Sequence, residues 1–99
     1  ITNGNVDIQR IGLAPYFQHC LFAGPDGLAK PAPDLFTKAC HHLKLPPESI
    51  LHIGDHPLTD VYGANNAGMM SAWLNLKHQT LPTILPNIEL FHLDNLLFF

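Results

Sequence analysis

The chain has 99 residues, 46% of them hydrophobic and 13% charged, with a net charge of −3. That length allows one globular unit with a small core and little stability to spare. With only 5 Lys and Arg there is no basic stripe for a nucleic-acid backbone, and apolar runs such as Leu96–Phe99 are far too short to cross a bilayer.

Ile1-Thr2-Asn3-Gly4 reads as the last residue of a buried strand running into a turn, so a truncated piece of a longer fold is expected. Asn5 is suited to cap a short helix over Val6–Ile11, with Gly12 as its left-handed stop. His19–Ala23 is a compact apolar run, expected as a short buried strand, and Gly24-Pro25-Asp26-Gly27 is a dense turn cluster. Lys30-Pro31-Ala32-Pro33-Asp34 opens the clearest helix. Pro33 suits its first turn, while Leu35, Phe36, Ala39, Cys40 and Leu43 recur on one face until Pro46-Pro47 ends it.

Ile50–Ile53 is the next expected buried strand and runs straight into Gly54-Asp55. A helix from about Thr59 to Ala67 gathers Val61, Ala64 and Ala67 on one face, and Gly68 terminates it. Met70–Leu74 makes another strand. Beyond Asn75 the periodic signal fades, with Pro82 and Pro86 in loops and a terminal helical turn over Asp94–Phe99. No repeat or linker divides the chain. Strands alternating with helices predict an α/β fold with a parallel sheet covered on both faces, a partial doubly wound architecture.

Such sheets bind ligands beyond the carboxyl ends of their strands. Thr2 and Asn3 follow the first strand, Lys30 precedes the long helix, and Asp55 follows Ile50–Ile53 with Asp60 a turn later. A parallel sheet brings these groups to one rim. A hydroxyl, the Asn3 and Gly4 amides, an ammonium and two carboxylates suit phosphoryl transfer, where catalysis rests on positioning and charge stabilisation. Thr2, Asn3 and Lys30 are the candidate phosphate-binding residues. Lys30 and Asp60 are the candidate catalytic residues, and Asp55 and Asp60 the candidate ligands of Mg²⁺, a hard ion that takes oxygen donors.

Taken singly, each of these residues has a plainer role: Thr2-Asn3 as a turn, Lys30 as a solvated surface lysine, Asp60 as a helix N-terminal acid. Their joint arrival at strand ends favours the functional reading. The 7 histidines do not make a zinc site. His52 and His56 span a strand and a loop, and His41 and His42 diverge by about 100° on a helix. His56 is expected to face solvent, and Trp73 to serve packing. Cys20 and Cys40 fall in different elements, so unpaired thiols and a reducing, cytoplasmic setting are expected.

Thr2-Asn3-Gly4, Lys30-Pro31 and Gly54-Asp55-His56-Pro57-Leu58-Thr59-Asp60 together resemble the second, third and fourth motifs of the haloacid dehalogenase-like (HAD) hydrolases. The resemblance runs from Ile1 to about Leu74. It implies a Rossmann-like core lacking its N-terminal strand and cap domain, so residues 1–99 would be the C-terminal part of that core. It further implies that Thr2 and the Asn3 amide hold the phosphoryl group, and that Lys30 binds phosphate and steadies the nucleophile. Asp55 would ligate Mg²⁺ directly, while Asp60 would ligate it through water or orient Lys30. The family's nucleophile lies in an Asp-x-Asp motif on an earlier strand, and these 99 residues contain none.

The expected activity of the parent protein is therefore Mg²⁺-dependent hydrolysis of a small phosphate monoester through an aspartyl-phosphate, with this fragment inactive alone. Its partner would be the N-terminal half of its own protein. Gly12-Leu13 through Tyr16-Phe17, with Ala23–Gly27, resemble a bacterial subset acting on flavin mononucleotide and a phosphorylated riboflavin precursor. The alternative is a non-catalytic phosphate- or metal-binding module, or an interaction module, built on the same fold.

Overall fold

The computed structural model describes residues 1–4, 7–80 and 83–98. Helix α1 spans Asp34–Leu43, and strand β1 spans Leu51–Gly54. A π-helical turn over Pro57–Tyr62 runs into α2, Gly63–Asn66, followed by β2, Met70–Leu74, and β3, Ile88–Leu90. The Cα radius of gyration, 13.5 Å, is that of one packed body of this length.

α1 forms where the apolar spacing predicts. Leu35 and Phe36 are fully buried, and Asp34 lies in the first turn, where the helix dipole favours an acid. Lys44 ends the helix in the left-handed conformation, φ 56°, donating its N–H to the Cys40 and His41 carbonyls. Phe36 packs with Ala64 and Met69 as the core centre, and Ile1, Ala39, Cys40, Ile50 and Ala67 close around it. Burying Phe36 removes one of the largest apolar surfaces in the chain from water, worth roughly 2–3 kcal/mol.

The sheet is parallel throughout, in the order β1-β2-β3, with Leu51 paired to Met70 and Ala72 to Ile88. This parallel α/β arrangement is the one the alternation of elements predicts. Four local expectations change. His19–Ala23 forms no strand; it contributes one parallel bridge, Thr2 to Phe22, because its ladder bonds among the described residues are just two, from Thr2 N–H to the Leu21 carbonyl and from Ala23 N–H to the Thr2 carbonyl. Residues 8–12 form hydrogen-bonded turns instead of a helix, with Asp7 Oδ1 accepting from the Gln9 and Arg10 N–H groups; Asn5 and Val6 lie outside the described residues.

The third change concerns β1, expected to be buried. It sits at the sheet edge, where Leu51 and Ile53 are each 41% exposed on one face. The fourth is β3, absent from the sequence reading because three residues between loops carry no usable periodicity. The terminal helical turn is a 3₁₀ segment, Leu93–Phe98, and Phe99 lies outside the described residues. Among the described residues no helix is long and apolar enough to cross a membrane.

Candidate functional site

Four chain segments meet at the carboxyl ends of the first turn and β1. Thr2 is held by the main chain, its N–H donating to the Leu21 carbonyl at 2.9 Å and its own carbonyl accepting from Ala23 N–H at 3.0 Å. Its Oγ1 accepts from Gly4 N–H at 3.0 Å. The Gly4 amide is thus engaged within the turn, in contrast to the sequence expectation that it faces a phosphate. Such a local bond is the usual use of a Thr hydroxyl two residues before a free amide.

Asn3 has a role that the sequence does not reveal. Its side chain bonds the main chain of Lys30 twice, Oδ1 accepting from the Lys30 N–H at 2.9 Å and Nδ2 donating to the Lys30 carbonyl at 3.1 Å. The loop that delivers Lys30 is braced on its other side. Asp26 Oδ2 accepts from Phe22 N–H at 2.7 Å, and Asp34 Oδ2 accepts from Leu28 N–H at 3.0 Å. A lysine is a point charge on a flexible stem, so fixing its backbone is a precondition for fixing its charge.

Lys30 Nζ donates to Asp60 Oδ1 at 2.6 Å across 30 positions of sequence, and the two side chains are only 10% and 7% exposed. A pair so shielded is not the screened surface bridge that contributes little. Asp60 Oδ1 also contacts His52 Nε2 at 2.9 Å, and Oδ2 accepts from the His56 N–H at 3.1 Å. Burial alone would raise the Asp60 carboxyl. The hydrogen bonds from His52, Lys30 and the His56 N–H outweigh it and hold the group well below the usual carboxylate range.

The local backbone explains why Asp60 reaches this position. The wide turn lets the His56 carbonyl accept from both Asp60 N–H, at 2.9 Å, and Val61 N–H, at 3.3 Å, which tucks Asp60 back over Gly54. A methyl group at Gly54 would overlap the Asp60 carboxylate. His56 is exposed, as expected, and its Nδ1 caps the turn by accepting from Thr59 N–H at 3.2 Å.

Asp55 is placed differently. Its carbonyl accepts from Trp73 Nε1 at 3.1 Å, while its carboxylate receives no hydrogen bond among the described residues. It faces a cleft of about 330 Å³ at the ends of β1 and β2, lined also by His56, Leu74, Asn75, Lys77 and Gln79. Asn75 is buried and fixes this rim, bonding Gln79 through both amide ends and Glu89 through Nδ2. An open carboxylate suits one oxygen position on Mg²⁺, an ion that keeps several waters. Asp60 fits that role less well, because both its oxygens already accept bonds. Among the described residues no three His, Cys, Asp or Glu side chains gather as a ligand set.

Thr2, Asn3, Lys30 and Asp60 thus form one connected group, with Asp55 beside it through the His56 main chain. His52 is the member that reading the sequence missed. Strand period offered a signal, since His52 and Gly54 point to the same face and Gly54 underlies Asp60.

A family model described as haloacid dehalogenase-like hydrolase matches residues 1–68. The chain is 39% identical over 101 residues to 5-amino-6-(5-phospho-D-ribitylamino)uracil phosphatase YigB of Escherichia coli K12, a match covering 97% of this chain and 42% of that protein. It is 39% identical over 80 residues to a phosphoserine phosphatase of Thermus thermophilus, covering 76% of this chain and 32% of the relative. Among solved structures, a 2-haloacid dehalogenase from Pseudomonas syringae pv. Tomato superposes with a TM-score of 0.89 at 38% identity, over 94% of this chain and 41% of that one. The chain therefore spans less than half the length of each of these three proteins.

Proposed function

Because this chain belongs to the haloacid dehalogenase-like hydrolases, we propose that it supplies the phosphate- and metal-binding half of a phosphatase for small phosphate monoesters. The observation that carries this reading is the Lys30–Asp60 pair, shielded from solvent and braced through Asn3 onto the Thr2 turn. The Lys30 ammonium neutralises phosphoryl oxygens, and the Thr2 hydroxyl and Asn3 N–H are the neighbouring donors. Asp60 orients Lys30. Asp55 would hold Mg²⁺, which when bound supplies positive charge against the phosphate.

In this reading residues 1–99 are the C-terminal part of a HAD-type core domain. The nucleophile is an aspartate outside them, and its aspartyl-phosphate splits hydrolysis into two easier displacements. The likeness to phosphatases of phosphorylated small metabolites, including a riboflavin precursor, supports substrates of that class, and flavin mononucleotide belongs to the same chemistry. The unpaired Cys20 and Cys40 suit a cytoplasmic setting.

The test is a phosphate-release assay on the complete protein that carries this sequence, with and without Mg²⁺, across a panel of sugar, amino-acid and flavin phosphates. Turnover that falls at least about 100-fold in Lys30→Ala is expected. Full activity in that variant would overturn the assignment, and phosphate binding without any turnover would select a binding module instead. The isolated 99-residue chain, which has no Asp-x-Asp motif, is expected to release no phosphate.

A further inference from the structure

His52 lies in the middle of β1, paired to Ser71, and its side chain is 12% exposed. Its ring stands edge-on to Phe36, with centroids 5.1 Å apart and planes at 88°. Phe36 is itself fully buried in the core, so strand and core together hold the imidazole in one orientation. From there Nε2 meets Asp60 Oδ1, the same oxygen that accepts Lys30 Nζ.

An ionised carboxylate can only accept, so the proton in this contact sits on His52 Nε2. Both Asp60 oxygens are then tied to rigid donors, Oδ1 to His52 on β1 and Oδ2 to the His56 main chain. Without His52 the carboxylate is held on one oxygen by the backbone and on the other by a flexible lysine alone. The anchor would then be set by the group it is meant to anchor.

We propose that His52 is a positioning residue for phosphate binding: its Nε2–H fixes Asp60 Oδ1 on the sheet, and through it the Lys30 ammonium. The proposal rests on the phosphatase reading above. It assigns His52 no contact with substrate. Its role is to make the Lys30–Asp60 geometry a property of β1 and the core rather than of those two side chains alone.

The test compares His52→Gln, whose amide N–H has nearly the same reach from the backbone, with His52→Phe, which keeps a ring and loses the donor. In the complete protein, His52→Phe should lower kcat/KM by about 10- to 100-fold, and His52→Gln should recover to within about 3-fold of wild type. Equal losses in both, or no loss in His52→Phe, would overturn the proposal. If His52→Phe does not fold, two-bond ¹H–¹⁵N spectra of the wild-type protein decide instead: an Nε2–H tautomer supports it and an Nδ1–H tautomer overturns it. Lys30→Ala run in parallel separates the two ideas, because its full activity would remove the phosphatase reading whatever His52 does.

Discussion

Asn3 grips Lys30 by its main chain from both sides, accepting from the N–H at 2.9 Å and donating to the carbonyl at 3.1 Å. The two residues are 27 positions apart. The turn that carries the Thr2 hydroxyl and the loop that carries the ammonium are therefore one mechanical unit. Replacing Asn3 with Ala should cost about 1 kcal/mol of stability, since these bonds are exposed and exchange with water. Its effect on phosphate affinity should be larger, about 10-fold or more, because a misplaced charge forfeits its contact. Thermal melting and isothermal titration with inorganic phosphate measure the two effects separately, and equal small effects on both would show that the clamp is only structural.

Gly54 makes room for Asp60. A methyl group there would overlap the Asp60 carboxylate, so Gly54→Ala must push that side chain off the Lys30 ammonium or distort β1. Overpacking of this kind costs roughly 1–3 kcal/mol. The variant should melt at lower temperature and lose phosphate binding together. A Gly54→Ala protein with wild-type affinity would mean that Asp60 does not set the lysine.

Asp60 predicts a pH dependence of stability. Its folded-state carboxyl is held below the usual range, so its contribution is present above the unfolded value of about 3.9 and is lost as pH falls through that value toward the folded one. The melting temperature of the chain should drop as pH is taken below about 4. Asp60→Asn should flatten part of that drop while lowering stability at neutral pH, where Lys30 is left shielded beside an uncharged partner. A wild-type slope unchanged in Asp60→Asn would place the acid sensitivity elsewhere.

Asp55 and Asp60 should separate on Mg²⁺ titration. Asp55→Asn is expected to weaken Mg²⁺ affinity and activity together in the complete protein, since it alters an open carboxylate at the strand end. Asp60→Asn should reduce phosphate affinity more than Mg²⁺ affinity, because its oxygens are taken by His52, Lys30 and the His56 N–H. Equal loss of Mg²⁺ binding in both variants would return Asp60 to the metal.

Local patterns in the sequence determine α1, β2 and, within one residue, β1. Leu35, Phe36 and Ala39 recur at helical spacing, and short apolar runs before Gly54-Asp55 and Asn75 mark strands. The parallel sheet then follows from alternation, and with it the arrival of Thr2, Lys30, Asp55 and Asp60 at one rim. What local pattern cannot carry is the choice of hydrogen-bond partner. Asn3 bonds Lys30 through its side chain, Gly4 bonds Thr2, and His52 shares an oxygen with Lys30. Each is decided by distances of a few tenths of an ångström between residues brought together by packing.

The same limit explains the missed β3 and the exposure of Leu51 and Ile53, which depend on what lies beside a strand and not on its own residues. The sequence alone determined which chemical groups reach the strand ends. Tertiary structure decided which of them are tied to each other, because that depends on Gly54, Phe36 and the wide turn at Pro57–Tyr62 seating Asp60 between His52 and Lys30.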